Sequence, residues 1–193
     1  MNLEEKIRAL ISKFELLNKE EVEIIVEKTI VDEFKKGTLL LKEGQIPTKC
    51  YMVVEGCVRE YIIKDGEDKT TAFFMEGDTF TPNAGNGAPS KHYWECIEDC
   101  VLTISNKSYE EEIRAALPRL DTVFQGIALE KISAAKEEWN MFVTSSPEER
   151  YLNLLETKAH LLDRAPHHQI ASYLGMKPQS LSRIRKRILD QKQ

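Results

Sequence analysis

The chain has 193 residues, of which 41% are hydrophobic and 31% are charged, a composition ordinary for a globular protein. Its first residues, MNLEEKIRAL, are partly acidic, and no long apolar run follows them. We therefore expect neither a signal peptide nor a membrane-spanning segment. These features predict a cytoplasmic protein with no membrane partner.

The formal net charge of −5 hides an asymmetry along the chain. Residues 167–193 hold six of the 27 basic residues and one of the 32 acidic residues, a net charge of +5, which leaves −10 on residues 1–166. Phosphate groups would repel the acidic part and attract the basic segment. The distribution makes the C-terminal segment the candidate for binding nucleic acid.

The four cysteines, Cys50, Cys57, Cys96 and Cys100, have two interpretations. Together they could supply four thiolates to a metal ion or an iron–sulfur cluster. Alternatively, they are small buried apolar residues on strands, reduced in the cytoplasm. Neither pair has the Cys-x2-Cys spacing of strong zinc motifs, which favours the second interpretation and predicts no metal site.

The N-terminal part of the chain predicts helices followed by an all-β unit. Residues 3–28 have helical periodicity, with a second helix start at Asn18. From about residue 29 to 105, short β-branched and aromatic runs alternate with turn signals at roughly 7–12-residue intervals, typical of a β-roll or barrel. Residues 58–63 and 71–75 flank Asp65-Gly66 and predict one hairpin.

A long amphipathic helix is predicted after residues 106–117, which form one or two short helices. Pro118 can open the long helix, which runs to about residue 144. Its apolar surface is wide enough to need two partners, and a second copy of the same helix would cover the side that the β-roll leaves open. The alternative is packing within one protomer. The residues predicted to form the dimer helix are Leu120, Phe124, Ile127, Ala128, Ile132, Ala135 and Trp139.

Residues 167–188, HHQIASYLGMKPQSLSRIRKRI, have the spacing of a helix-turn-helix. Ser146, Pro147 and Glu149 start the helix that leads to it. Ala171 is small where two helices must cross, Gly175 permits a tight turn, and apolar residues recur on both sides of the turn. The pattern therefore predicts a unit that docks in the major groove of DNA.

The outward face of the second helix carries Gln179, Ser182, Arg183 and Lys186. Glutamine can pair with adenine and arginine with guanine, so we expect Gln179, Ser182 and Arg183 to contact bases. The residues expected to contact phosphates are Lys177, Arg185, Lys186 and Arg187. The alternative is a helical hairpin with a solvated basic face.

Residues 29–190 resemble the Crp/Fnr family of bacterial transcription regulators. The phrases that carry the resemblance are KKGTLLLKEGQIPTKCYMVVEGCVREYI, FFMEGDTF and IASYLGMKPQSLSRIRKR. The resemblance implies an α+β fold, with a jelly-roll-like N-terminal β-roll flanked by helices, a long dimerisation helix and a C-terminal helix-turn-helix. It implies a sensor domain over 1–117, a dimerisation helix over 118–145 and a DNA-binding domain over 146–193. It also adds Ser180 to the expected base contacts.

The sequence departs from the family pattern in its phosphate cassette. Members that bind a cyclic nucleotide carry an Arg-Ser/Thr-Ala segment there, whereas no arginine occurs here between Arg59 and Arg114. Without that charge partner we do not expect cyclic AMP to bind, and we identify no cofactor. The residues expected to line an effector pocket are Asn83, Gly85, Ser90, Lys91 and His92. The N-terminal cysteine cluster of the oxygen-sensing branch is absent, and haem ligation by His92 stays open.

The end of the sequence is the second departure, because only five residues follow Ile188. We therefore expect the helix-turn-helix to lack most or all of the family's β-hairpin wing.

These observations predict a homodimeric transcription regulator that binds a pseudo-palindromic site on double-stranded DNA. RNA polymerase and a small effector are further candidate partners. The alternative is a ligand-binding signalling module whose basic tail contacts a protein. We do not expect an enzyme, because the sequence shows no catalytic triad at motif spacing, no P-loop and no HExxH motif.

Overall fold

A computed structural model describes residues 2–81 and 87–191. Its helices are α1 (Leu3–Ile11), α2 (Lys19–Lys28), α3 (Lys107–Ala116), α4 (Leu120–Thr144), α5 (Pro147–Thr157), α6 (Leu161–Arg164), α7 (His167–Tyr173) and α8 (Pro178–Gln191). Its strands are β1 (Ile30–Phe34), β2 (Leu39–Leu41), β3 (Lys49–Glu55), β4 (Val58–Lys64), β5 (Glu67–Phe74), β6 (Thr79–Phe80), β7 (Tyr93–Cys96) and β8 (Cys100–Asn106). The order of elements confirms the predicted α+β fold.

The eight strands form two four-stranded sheets, ordered β1-β8-β3-β6 and β2-β7-β4-β5. Neighbouring strands in the first sheet are antiparallel. The predicted hairpin is β4 and β5, joined at Asp65 and Gly66, whose φ angles of 56° and 77° are both positive. Two successive positive φ angles match the right-handed twist of the strands, which explains the Asp-Gly pair.

Strand β3 is buried on both faces and separates two apolar clusters. Tyr51 and Val53 belong to the core that lies between strands of the two sheets. Met52 and Val54 face the other way and pack against apolar residues of α1 and α2. This alternation places the N-terminal helices on the outer face of the first sheet, because side chains in a strand point to opposite faces in turn.

The predicted helical segment 3–28 is two helices, each with a complete capping box. Asn2 and Glu5 cap α1, and Asn18 and Glu21 cap α2, so the second start predicted at Asn18 is confirmed. Glu21 also accepts hydrogen bonds from the Arg119 guanidinium, one of them at 2.6 Å. These bonds, followed by the one from the Asn18 backbone, lower the pKa of Glu21 to about 2.

The start of α4 is buried within its own protomer. Leu120 is 0% exposed and Val123 is 4% exposed, and both pack with residues of α3. Ile127 is half-buried beside the same cluster. The prediction that Leu120 faces a second copy is therefore wrong, because its side chain is already covered, and Ile127 is at most a peripheral contact.

The chain divides into two compact units, Met1–Glu60 with Phe73–Ile132 and Tyr61–Ala72 with Ser133–Gln193. The second unit contains α5 to α8 and has a core of its own, since Leu154, Leu161, Ile170 and Leu181 are each at most 3% exposed. The functional division into residues 1–117, 118–145 and 146–193 stays a prediction.

Candidate nucleic-acid interface

Helices α7 and α8 and the turn between them confirm the predicted helix-turn-helix geometry. Ala171 on α7 and Leu181 on α8 are both 0% exposed, as expected where two helices cross closely. The turn closes α7 with two backbone bonds, from Gly175 N to Ser172 O (3.0 Å) and from Met176 N to Ala171 O (2.9 Å). Gly175 has a φ of +67°, the left-handed conformation that ends a helix in this way.

Arg150 of α5 fixes this turn from outside. Its Nη1 donates a hydrogen bond to the carbonyl oxygen of Leu174 (2.7 Å), one of the last carbonyls of α7. The same guanidinium lies 4.4 Å from the ring centroid of Phe142, close enough for a cation–π interaction. A Cβ at Gly175 would lie 2.8 Å from Arg150 Nη1 and 3.0 Å from Phe142 Cζ, so an added methyl group would force these side chains to shift.

The exposed side of α8 carries the side chains predicted to contact DNA. The exposed residues of this set are Gln179, Ser180, Ser182, Arg183, Arg185, Lys186 and Arg187, with Lys177 exposed just before the helix. Ile184 and Ile188 turn the opposite side of the helix inward. Ser182 Oγ donates to Pro178 O (3.2 Å), so its hydroxyl is left mainly as an acceptor.

Arg187 differs from the other predicted phosphate contacts because its Nη2 forms an ion pair with Glu148 at the start of α5. The pair ties α8 to α5 and balances the charge of Arg187 within the protomer. The Arg187 side chain remains 55% exposed in this pair, and its role as a phosphate contact stays a prediction. Sequence reasoning missed the pair because 39 positions separate its members.

Two of the predicted effector residues, Asn83 and Gly85, lie outside the described residues. Ser90 Oγ accepts from His92 N (2.9 Å) and donates to His92 O (3.1 Å), while Lys91 is exposed. His92 Nδ1 is 3.4 Å from Glu60 Oε1. Sequence reasoning missed Glu60, whose carboxylate adds negative charge beside the predicted pocket.

The comparisons with known proteins agree with this geometry. Residues 31–115 match the cyclic nucleotide-binding domain family. The nitrogen fixation regulation protein FixK of Rhizobium meliloti (strain 1021) is 25% identical over 169 residues, which are 80% of this chain and 73% of FixK. These similarities support the resemblance of the chain to Crp/Fnr-type regulators.

Two solved structures show the same fold. FixK2 from Bradyrhizobium japonicum has a TM-score of 0.69 at 21% identity, over 84% of this chain and 85% of that one. The catabolite activator protein of Thermus thermophilus has a TM-score of 0.57 at 18% identity, over 92% of this chain and 86% of that one. The chain therefore has a fold that is found in other solved structures.

Three of the four cysteines are buried and Cys50 is half-buried. Cys57, Cys96 and Cys100 are at most 2% exposed, with Cys57 in the turn before β4 rather than on a strand. A hydrogen bond with the Cys100 thiol, together with burial, raises the pKa of Cys96, and burial raises that of Cys50 to about 11. The thiolate forms that bind metals and react are thus disfavoured.

Within residues 2–81 and 87–191, no three His, Cys, Asp or Glu side chains are grouped so that they could hold a metal ion. Within the same ranges, no helix has both the length and the apolar character that a membrane crossing requires.

Gly175→Ala should lower the free energy of unfolding by about 1–2 kcal/mol through the left-handed φ alone, and by more through the close contacts with Arg150 and Phe142. Chemical denaturation followed by circular dichroism measures the loss. Gly37→Ala is the matched control, because Gly37 has a φ of +84° but nothing within 4 Å of an added Cβ. Equal losses in the two variants would contradict the packing assigned to Arg150 and Phe142.

Proposed function

We propose that this protein is a homodimeric, sequence-specific DNA-binding transcription regulator. The observation that carries the proposal is the exposed polar and basic face of α8, held on a helix-turn-helix whose crossing point is fully buried. A buried crossing gives the reading helix a fixed direction, and an exposed basic face gives it affinity for phosphate. FixK, the relative described above, is a regulation protein, which supports the same class.

Base reading is assigned to Gln179, Ser180 and Arg183, with Ser182 as an acceptor. Gln179 and Arg183 lie one helical turn apart on the exposed side of α8, so both can reach base edges in one groove. Lys186 and Arg185 follow within the next turn and suit phosphate contacts. Lys177 lies close enough to the Glu67 carboxylate to help lower the pKa of that group, after the larger effect of Lys69.

The exposed apolar stripe of α4 supports the dimer. Its large side chains remain uncovered in the protomer, with exposures of 45% for Phe124, 68% for Leu129, 66% for Ile132, 64% for Trp139 and 55% for Val143. Ala128 and Ala135 are exposed beside them. Leu129, Ile132, Trp139 and Val143 are separated by three, seven and four residues, which places them on a coiled-coil seam whose one intermediate position is the exposed Lys136. A second copy of α4 would bury this seam.

In such a dimer the two α8 helices would enter successive major grooves, about 34 Å apart, on a pseudo-palindromic site. The dimer would also bring two basic C-terminal segments to the DNA. Their attraction to phosphates helps to overcome the repulsion between DNA phosphates and the acidic remainder of each chain. RNA polymerase is a candidate partner of the bound dimer. We propose no enzymatic activity.

We also propose that the β-roll does not take a cyclic phosphate as its effector. The Glu60 carboxylate lies beside His92 and accepts a hydrogen bond from Trp94 Nε1 (2.9 Å), so negative charge is already present near the predicted pocket. Arg59 is 1% exposed, and its Nη1 lies 3.7 Å from Glu95 Oε2. A phosphate would therefore have to displace a carboxylate to gain Arg59 as a partner.

The test of DNA binding has two steps. The full-length protein is first used to select operator sequences from a random duplex library, and its affinity for a selected operator is then measured. Arg183→Ala should weaken binding to the selected operator about tenfold or more, because one bidentate base contact is lost. Lys186→Ala should mainly reduce the slope of affinity against salt concentration. Fluorescence anisotropy at several salt concentrations measures both.

Arg114→Ala is the control for these variants, since it removes one positive charge from a half-exposed position on α3. Wild-type affinity in Arg183→Ala would contradict the base contact. If the folded dimer binds neither operator nor bulk DNA at low salt, the alternative of a protein-binding basic tail is favoured.

Ile132→Arg should convert the dimer to monomers, because it would bury an unpaired charge at the centre of the α4 seam. Sedimentation velocity over a range of protein concentrations measures the change in mass. Ser133→Arg introduces the same charge at the next exposed position, outside the seam, and should leave the dimer intact. A dimer in both variants would show that α4 does not form the interface.

Cyclic AMP should not bind the purified protein at concentrations up to about 1 mM, because the predicted pocket lacks a positively charged side chain to pair with the phosphate. Equilibrium dialysis with labelled cyclic AMP makes the measurement. Saturable binding of one cyclic AMP molecule per chain at micromolar concentrations would overturn the proposal that the β-roll does not take a cyclic phosphate.

A further inference from the structure

The hairpin of β4 and β5 lies against the helix-turn-helix, within the second compact unit. Strand β5 is the outermost strand of its sheet, so the backbone amides on its outer side need partners other than a strand. The amide of Thr70 donates to Ser172 Oγ on α7 (3.0 Å). Thr70 is 6% exposed, so this bond is shielded from water. The edge of the hairpin is therefore docked on the first helix of the helix-turn-helix.

The docked strand begins at the charged end of the hairpin. Residues 64–69, KDGEDK, hold three acidic and two basic residues, a net charge of −1. Glu67 precedes Thr70 by three residues, about 10 Å along an extended strand. Its side chain is 72% exposed and forms an ion pair with Lys69. A carboxylate has about four lone pairs, so this ion pair leaves acceptor capacity for a second cation.

Lys177 supplies a second cation from the side of the helix-turn-helix. It is exposed and follows Ser172 by five residues, across the turn that the backbone bonds of Gly175 and Met176 close. The ion pair with Lys69 lowers the pKa of Glu67 most, and the Lys177 ammonium adds to this lowering. The carboxylate of the hairpin and the ammonium before α8 therefore attract each other.

We propose that the hairpin is autoinhibitory, because its Glu67 carboxylate occupies the Lys177 ammonium that a DNA phosphate would otherwise bind. The proposal rests on the proposed function, in which Lys177 contacts a phosphate. Carboxylate and phosphate oxygens compete for the same donors. The bond between Thr70 and Ser172 keeps the carboxylate within reach of Lys177, so DNA must displace Glu67 to gain this contact.

The autoinhibitory contact acts on affinity rather than on base preference. Phosphate contacts carry no sequence information directly, so the contact weakens binding to operator and to bulk DNA alike. Any event that lifts β5 from α7 would release Lys177 and strengthen binding to both. The hairpin would then control how much of the basic segment is available to DNA.

The first experiment tests the contact without DNA, by an NMR pH titration of the Glu67 carboxylate in the full-length protein. Lys177→Met should raise the pKa of Glu67, because a nearby positive charge is removed. Lys186→Met is the matched control, since it removes the same charge from α8 nine residues further along and should leave the pKa of Glu67 unchanged. An unchanged pKa of Glu67 in Lys177→Met would overturn the proposal.

The second experiment measures operator affinity by fluorescence anisotropy. Glu67→Gln should bind about two- to fivefold more tightly at about 50 mM salt, because Lys177 becomes available to a phosphate. The slope of log affinity against log salt should steepen by up to about 0.9, the value for one phosphate contact. In a Lys177→Met background, Glu67→Gln should change neither quantity.

Glu27→Gln is the control for charge alone, because it removes an exposed acid of α2 in the first compact unit. It should leave operator affinity unchanged in both backgrounds. Wild-type affinity in Glu67→Gln would overturn the proposal. An equal gain with and without Lys177 would also overturn it, since the effect of Glu67 would then not act through this lysine.

Ser172→Ala tests the docking of the hairpin while it keeps a good helix former in α7. Amide exchange at Thr70 should become faster, because the amide loses its acceptor, and operator binding should tighten as in Glu67→Gln. Faster exchange with unchanged operator affinity would overturn the autoinhibitory role. Unchanged exchange would overturn the docking on which that role depends.

The outcomes separate this proposal from the proposed function. If the folded wild-type protein and all variants bind neither operator nor bulk DNA at low salt, the proposed function fails and autoinhibition fails with it. If the wild-type protein binds its operator but Glu67→Gln and Ser172→Ala bind no more tightly, only the autoinhibitory role is lost.

Discussion

The hydrogen bond from Arg150 to the Leu174 carbonyl is the interaction on which the candidate DNA-reading unit depends. It joins α5 to the turn of the helix-turn-helix, and Phe142 supports the same guanidinium from α4. A side chain at position 175 would have to displace this pair and would be strained by the left-handed φ of +67°. In the proposed function, a reading helix can select a sequence only if its direction is fixed, and this contact of Arg150 would help to fix α8.

Charge is distributed unevenly along the chain, with a net +5 on residues 167–193 and −10 on residues 1–166. Within the basic segment, Arg187 forms an ion pair with Glu148. In the proposed dimer, two such segments would share the task of overcoming the repulsion between the acidic remainder and DNA phosphates. Burial of the exposed apolar stripe of α4 would stabilise that dimer through the hydrophobic effect.

In the proposed function, the β-roll lacks the charge partner that a cyclic phosphate needs. Glu60 lies beside the predicted pocket, and Arg59 is buried near Glu95. A phosphate group would therefore meet negative charge on the protein before it met a positive partner.

The sequence by itself determined the order of elements, the Asp65-Gly66 hairpin, the helix starts at Asn18 and Ser146 and the helix-turn-helix, because these follow from periodicity and from local backbone preferences. It could not determine which side of α4 is covered within the protomer, where Leu120 is buried and Leu129 and Val143 are exposed. Only the tertiary structure decided the partners of Arg187, Glu60 and Arg150. The physical reason is that these contacts join residues far apart in the chain, and their formation depends on how the elements pack.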